Sequence, residues 1–257
     1  VKTQRCQVKP IGVAQGWSDR SYAESVEQLQ EMGYEYIALG GIVPLKTFQI
    51  LEVLKATAEI RHPKTKLHLL GVTRLEGIRE FANYGVYSFD STSPLMRGIK
   101  DSKNNYYTLS GTTYSSIAVP QIEGNNELRG RIRAGQVDQG SAIRLEQKSL
   151  DVLRRYDKGM ATVDEVLEVL KEYGQTCHLP DRLDDARRTL GAKPWKSCAC
   201  AICKDLGIHV VLKRGAERNR RRGLHNVYVT YELLQREINS TEQELNSNRR
   251  VLKHASV

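Results

Sequence analysis

The chain has 257 residues, enough for one large domain or a domain with an appendage. Its 40% hydrophobic content excludes a disordered chain, and no apolar run approaches the roughly 20 residues that a membrane helix needs. The formal net charge of +9 favours polyanionic partners, because a basic surface steers phosphate-rich molecules toward it.

The N-terminal stretch VKTQRCQVKP is polar and has no apolar signal region, so the expected setting is the cytoplasm. It begins at Val1 rather than Met, as a processed chain or a piece of a longer one does. Strand-like and helix-like patterns then alternate. Residues 11–14 form a short apolar run ending at Gln15-Gly16. Tyr22, Val26, Leu29 and Met32 recur at helical spacing until Gly33. Residues 34–39 predict a strand that ends at Gly40-Gly41. Residues 48–60 predict a helix with Ile50, Leu51, Val53 and Leu54 on its apolar side. Residues 67–72 predict a strand, 75–84 a short helix, and 86–89 a fourth strand before Asp90. This order implies parallel strands with crossover helices, whose functional residues collect at the carboxyl ends of the strands. A closed eight-stranded barrel needs about twice as many units as these four.

After Asp90 the pattern changes. Residues 106–119 are β-prone and rich in Thr, Tyr and Ser, and 127–140 read as an Arg- and Gly-rich loop. Two amphipathic helices are expected over 145–156 and 162–173. Thr162 and Glu165 are spaced as a capping box for the second. Residues 179–190 predict another short helix, 209–212 a strand, and the segment from about Asn226 a final helix whose polar tail from Glu237 frays.

Three of the five cysteines lie within six residues, as Cys198-x-Cys200-x-x-Cys203. This is a poor disulfide framework, and in a reducing compartment it reads as metal or redox chemistry. Thiolates at this spacing converge on one tetrahedral ion, and zinc prefers sulfur and nitrogen donors. His209 and His225 are the candidate fourth ligands. His225 is preferred, because a position at a helix start can fold back on the knuckle. Four protein ligands close the shell, so the expected zinc is structural. An iron–sulfur site lacks its fourth cysteine, and C-x-C is not the usual dithiol redox pair.

Six collinear segments now carry a family resemblance: Gly12-Val13-Ala14-Gln15-Gly16, Leu39-Gly40-Gly41-Ile42, Leu69-Leu70-Gly71-Val72, Ser88-Phe89-Asp90, the cysteine cluster, and His225-Asn226. Over about residues 10–97 and 195–235 the chain resembles the tRNA-guanine transglycosylase superfamily. The resemblance implies a (β/α)8 TIM-type barrel with a zinc subdomain, and exchange of guanine in nucleic acid for a 7-deazaguanine base. It implies that Asp90 is the nucleophile, where a helix N-cap would be the bland reading of Asp-Ser-Thr-Ser-Pro. It implies that Gln15, Gly40 and Gly41 hold the heterocycle, and that Leu70 and Gly71 wall the pocket.

The resemblance begins at what would be the fifth strand. The expected organisation is therefore the C-terminal βα units of a barrel in 1–100, a polar β segment and helical insertion in 101–194, and the zinc subdomain with a basic loop and C-terminal helix in 195–257. A missing N-terminal half or a partner chain would supply the family's second carboxylate. The long interval from Asp90 to Cys198 resembles the divergent branch that modifies DNA, with tRNA as the alternative substrate. Arg97, Arg214, Arg218, Arg220, Arg221 and Arg222 are the expected phosphate contacts, alongside Lys213 and an alternating set at Arg129, Arg131 and Arg133. Tyr106, Tyr107 and Tyr114 are candidates for base stacking. A zinc-containing nucleic-acid-binding subunit without catalysis is the competing reading.

Overall fold

The computed structural model describes residues 8–254, with side chains through residue 240. Cys6 and the first seven residues, on which the expected cytoplasmic setting rested, lie outside the described residues. The chain divides into two compact units: one runs to Ser93 and takes in the chain from Leu233 onward, and the other spans Pro94–Glu232.

In the first unit, β1 (Gly12–Ala14), α1 (Asp19–Glu31), β2 (Tyr36–Leu39), α2 (Thr47–Ile60), β3 (Lys66–Leu69), α3 (Ile78–Asn83) and β4 (Val86–Phe89) follow in the expected order. Ser18 and Ser21 start α1 with a reciprocal cap: each hydroxyl accepts from the other's backbone N–H, at 3.2 and 2.9 Å. The strands form one parallel sheet in the order β1-β2-β3-β4. Parallel strands added in sequence by right-handed crossovers place their helices on a single face. Ile37, Leu39, Leu67 and Leu69 accordingly share a buried cluster with Val26, Ile50, Val53 and Leu54. Register pairs Val13 with Ala38, Ala38 with His68, and His68 with Ser88, so these four form one row across the sheet.

The second unit contains α4 (Ser93–Lys100), β5 (Tyr106–Tyr107), β6 (Thr113–Tyr114), β7 (Ile117–Ala118), α5 (Asn126–Arg133), α6 (Gln139–Asp157), α7 (Val163–Thr176), α8 (Leu183–Ala192), α9 (Pro194–Ser197), α10 (Ala201–Leu206), β8 (Leu212–Lys213) and the start of α11 (Ala216–His254). The Thr162–Glu165 capping box is present. Leu145, Leu153, Val166, Leu170 and Tyr173 of α6 and α7 lie in one buried cluster. Burying such side chains is the main source of stability in a helical layer, at about 1.5–3 kcal/mol each.

Three expectations are corrected here. Residues 127–140 are not a loop. Asn125 accepts from the Leu128 N–H at 3.0 Å and starts α5, and Leu128 anchors it in the core. Residues 209–212 are not a strand. Residues 207–211 form a 3-10 turn with Ile208, Val210 and Val211 buried, and pairing starts only at Leu212 against Ile117. The final helix starts at Ala216, ten residues early, and its backbone continues past Glu237 to His254. Its buried stripe is Arg222, His225, Asn226 and Val229, which has helical spacing but is mostly polar. Hydrophobic periodicity is blind to such a stripe.

Helices α4 and α11 cross at two glycines. A Cβ on Gly98 would lie 2.4 Å from the Gly223 Cα, and one on Gly223 would lie 2.5 Å from the Leu95 carbonyl oxygen. Backbone cannot yield as a side chain does. Gly98→Ala is therefore expected to destabilise the protein by about 1–3 kcal/mol, read as a lower urea midpoint at constant m-value.

Candidate active site and metal centre

The carboxyl ends of the four strands form a row. The Gly40 N–H donates to the Ala14 carbonyl at 2.9 Å, Leu70 to Leu39 at 3.1 Å, and Asp90 to Leu69 at 3.3 Å. Gln15, Gly40-Gly41, Leu70-Gly71 and Asp90 therefore share one edge of the sheet. Gly41 (φ +75°) and Gly71 (φ +75°) need the left-handed region, and a Cβ on Gly71 would meet Val43 at 2.7 Å. The Tyr22 hydroxyl donates to the Gly40 carbonyl at 2.8 Å, which holds the turn. A Cβ on Gly40 would lie 3.2 Å from the Gln15 amide nitrogen, so that side chain rests on the glycine backbone. Trp17, two residues on, is 92% exposed.

Asp90 caps no helix; Ser91 is the side chain that accepts from the Ser93 N–H. Both contacts to the Asp90 carboxylate converge on one oxygen. Oδ1 accepts from the Gly71 N–H at 2.9 Å and meets His68 Nε2 at 3.2 Å. Hydrogen bonding from Gly71, opposed by some burial and aided by His68, holds the carboxyl below its ordinary range. The carboxylate stays ionised and 58% exposed. His68 Nδ1 in turn meets Ser88 Oγ at 2.8 Å, and Ser88 Oγ meets the Tyr36 hydroxyl at 2.5 Å. Sequence reading missed Tyr36 and His68. The available signal was strand register, since Ser88 and Asp90 are two residues apart on one face.

The candidate metal ligands come from three elements. Cys198 ends α9, Cys200 precedes α10, and Cys203 lies in the first turn of α10. His225 projects from α11. The four ligand atoms lie within 4.8 Å of one another. His225 Nδ1 is 3.6, 3.4 and 3.4 Å from the sulfurs of Cys198, Cys200 and Cys203. Tetrahedral bonds of about 2.3 Å to sulfur and about 2.0 Å to nitrogen would separate the two atoms by roughly 3.5 Å. The donors thus fit a four-coordinate ion. His225 Nε2 lies 2.9 Å from the Tyr107 carbonyl, which it can meet only as a donor, so Nδ1 is the nitrogen left to face the sulfurs and would ligate an ion as its proton leaves. Asn226 fixes that carbonyl's strand by accepting from the Tyr107 N–H at 3.0 Å and donating to the Pro94 and Asn105 carbonyls. Hydrogen bonds with Cys198 and Cys200 push the Cys203 thiol up, while its neighbours pull Cys198 down. Three thiolates crowded together call for a cation. His209, the alternative ligand, accepts instead from Arg218 at 3.1 Å.

The chain is 44% identical over 240 residues to a DNA-guanine transglycosylase from Salmonella montevideo. This relationship supports the tRNA-guanine transglycosylase superfamily. Within the superfamily the match falls on the DNA-modifying branch. It covers 91% of this chain, which spans 58% of the length of that relative. No family model matches.

For a transglycosylase-superfamily chain the basic residues are the expected phosphate contacts, and the structure sorts them. Arg222 is fully buried. Its guanidinium donates to the carbonyls of Gly98 (2.9 Å) and Leu212 (2.9 Å) and to Asn219 (2.9 Å), so it is a structural residue and not a phosphate contact. Burial pulls it down to about 10, still protonated at neutral pH. Arg214 is paired with Glu146 in a mostly buried bridge, and Arg221 with Asp205 and Glu217. Arg131 donates to the Cys177 and His178 carbonyls at the end of α7. Arg97 and Arg220 are exposed, with no acidic partner among the described residues. The 218–222 run is the first turns of α11, not a loop. Tyr106 is buried, stacked on His225 at 4.0 Å with its hydroxyl 3.1 Å from Cys203 Sγ, and is closed to base stacking.

A pair of variants separates the two kinds of arginine. Arg222→Met is expected to destabilise by about 3 kcal/mol or more, because it orphans buried acceptors. Arg220→Ala is expected to leave the urea midpoint within about 0.5 kcal/mol and to lower the salt slope of nucleic-acid binding by about 1.

Proposed function

We propose that the chain carries the nucleophile of a base-exchange transglycosylase that replaces guanine in DNA with a 7-deazaguanine. The observation that supports this most is the Asp90 carboxylate, held ionised at a strand end with one oxygen uncommitted. In this reading the parallel sheet is part of a (β/α)8 barrel. Asp90 Oδ2 attacks C1′ of the target nucleotide, forming a C1′–O bond as the C1′–N9 bond breaks. The bonding pair leaves on guanine N9 and is taken up by a proton. N9 of the incoming base then attacks C1′ from the vacated side, loses its proton, and returns Asp90 as a carboxylate, with retention. Gln15 presents a donor and an acceptor to the purine edge. The Gly40-Gly41 and Leu70-Gly71 backbones approach the ring where side chains would collide. A base must leave its stack to reach this edge, and Trp17 offers it a stacking face.

Among the described carboxyl ends of the four parallel strands, Asp90 is the only carboxylate that directly follows a strand. We place the acid that protonates the departing base on a further segment or a partner chain. Zinc is the proposed ion at Cys198, Cys200, Cys203 and His225, where four protein ligands leave no position for substrate and the ion supplies a cross-link only. Arg97 and Arg220, with the outer faces of Arg218 and Arg221, are the proposed contacts to the phosphate backbone. A cytoplasmic setting belongs to this reading, and no helix among the described residues is long and apolar enough to cross a membrane.

Incubation with labelled guanine and either duplex DNA or tRNA tests the proposal. Label retained in DNA supports it, and label in tRNA alone moves the substrate to tRNA. A non-catalytic zinc-containing nucleic-acid-binding subunit is the competing reading. Salt-sensitive binding with no label in either polymer, unchanged by Asp90→Asn, would select it.

A further inference from the structure

We propose that His68 is the positioning residue of the nucleophile, the last link of a hydrogen-bond chain Tyr36–Ser88–His68–Asp90 that commits one carboxylate oxygen and leaves the other to attack. The inference rests on the transglycosylase reading for its kinetic consequence, but not for its geometry.

With a singly protonated imidazole the chain has one consistent direction. An ionised Asp90 is acceptor-only, so His68 Nε2 must carry the proton across the 3.2 Å contact. Where the imidazole carries that proton alone, Nδ1 is an acceptor, and the donor 2.8 Å away is the Ser88 hydroxyl. Ser88 Oγ, having given its hydrogen to His68, accepts from the Tyr36 hydroxyl at 2.5 Å. Every donor is used once, and the chain ends on the negative charge. Chains of this kind polarise one another, and each link strengthens the next.

The sheet fixes the ring. His68 and Ser88 are register partners on adjacent parallel strands, between Leu67 and Leu69 on one side and Phe89 on the other. The His68 side chain is 17% exposed, whereas Asp90 is 58% exposed. A mostly buried imidazole therefore meets one oxygen of a carboxylate that is more than half exposed. Together with the Gly71 N–H it restricts rotation of the carboxylate about its terminal bond. A nucleophile so restrained avoids the roughly 100-fold loss that a misplacement of about 1 Å can cause. The titratable groups that meet His68 are Asp90 directly and Tyr36 through Ser88.

His68→Phe removes the donor, and His68→Gln keeps an amide N–H near the Nε2 position. Two measurements on the full chain separate this proposal from the functional reading. The first is a titration of the Asp90 side-chain carboxyl carbon by NMR. It is expected to move upward in His68→Phe, less in Ser88→Ala, and least in His68→Gln. An Asp90 titration unmoved in all three overturns the proposal, whatever the enzyme does. Ser88→Ala decides alone if His68→Phe fails to fold. The second is base exchange under the conditions where wild type is active. His68→Phe is expected to lower kcat about 10–100-fold with KM within twofold and to shift the acid limb of the profile upward, with His68→Gln restoring most of the loss. A loss confined to KM, or no rescue by Gln, overturns it. A wild type that exchanges no base defeats the transglycosylase reading and leaves the titration to judge His68.

Discussion

Asp90→Asn is expected to abolish base exchange, lowering kcat by about 10³-fold or more, while melting temperature and metal content stay at wild-type values. The size follows from the chemistry: an amide is a poor nucleophile, and no described carboxylate at the strand ends can replace it. The preserved stability follows from the geometry. Asparagine keeps an oxygen to accept from the Gly71 N–H at the same place, and its amide nitrogen falls where the uncommitted oxygen was. The substituted group is exposed, so little is lost on folding. The same contacts fix the direction of the pH dependence. The Asp90 carboxyl is held below its ordinary range, chiefly by the Gly71 hydrogen bond. The reactive form is therefore present at neutral pH and is lost only as pH falls through that lowered value. The acid limb of kcat is expected below the usual carboxylate range near 4. A glycosyl adduct trapped on wild type and absent from Asp90→Asn would be seen by mass spectrometry of the intact chain. An adduct that persists in Asp90→Asn would move the nucleophile elsewhere.

Much of this edge was legible in the sequence, for a reason that can be stated. Strand ends are punctuated by residue types that local chemistry demands. Gly41 and Gly71 mark left-handed turns, and Asp90 closes an apolar strand. Four short apolar runs separated by helical periodicity therefore revealed a parallel sheet and the edge at which its strands end. What stayed hidden was relational. His68 is an unremarkable histidine in Leu-His-Leu-Leu until parallel register sets it beside Ser88 and in reach of Asp90. Arg222 looks like its neighbours Arg220 and Arg221 in a basic run, and differs because α11 turns it inward onto the carbonyls of Gly98 and Leu212. A polar buried stripe carries no hydrophobic period, so the start of α11 was missed for the same cause that Arg222 was misassigned. The cysteine knuckle was legible because its ligand spacing is local. His225, more distant in sequence, could be chosen over His209 only by where a helix begins, and the structure supports the choice through a different position on that helix.

Cys203→Ser is the second large effect, and it should fall on stability rather than on chemistry. The residue is 3% exposed and makes three kinds of contact: to the other ligands, to the Tyr106 hydroxyl, and through its own N–H to Cys200 Sγ at 3.3 Å. Removing it leaves two thiols and an imidazole, too few to close a tetrahedral shell. Metal content is expected to fall from one equivalent to below half, with an apparent loss of at least about 3 kcal/mol, or roughly 10 °C in melting temperature. The ceiling is lower than the about 10–16 kcal/mol of isolated zinc-finger peptides, because this unit also has an apolar core built on α6 and α7. Chelation of wild type should reproduce the loss, and Cys203→Ser should then be insensitive to chelator. Acid should do the same, since the thiolates and the imidazole must be deprotonated to bind and the ion is released as pH falls. Tyr106→Phe provides the graded case. It removes one hydrogen bond to Cys203 sulfur and keeps the ring stacked on His225, so metal affinity should drop about 10–100-fold with the fold intact. A Cys203→Ser protein that retains a full equivalent of zinc and its melting temperature would mean that the four residues gather for packing alone. The 3.4–3.6 Å spacing of His225 Nδ1 from all three sulfurs argues against that, because packing alone does not require one ring nitrogen to lie at a near-equal distance from three sulfurs.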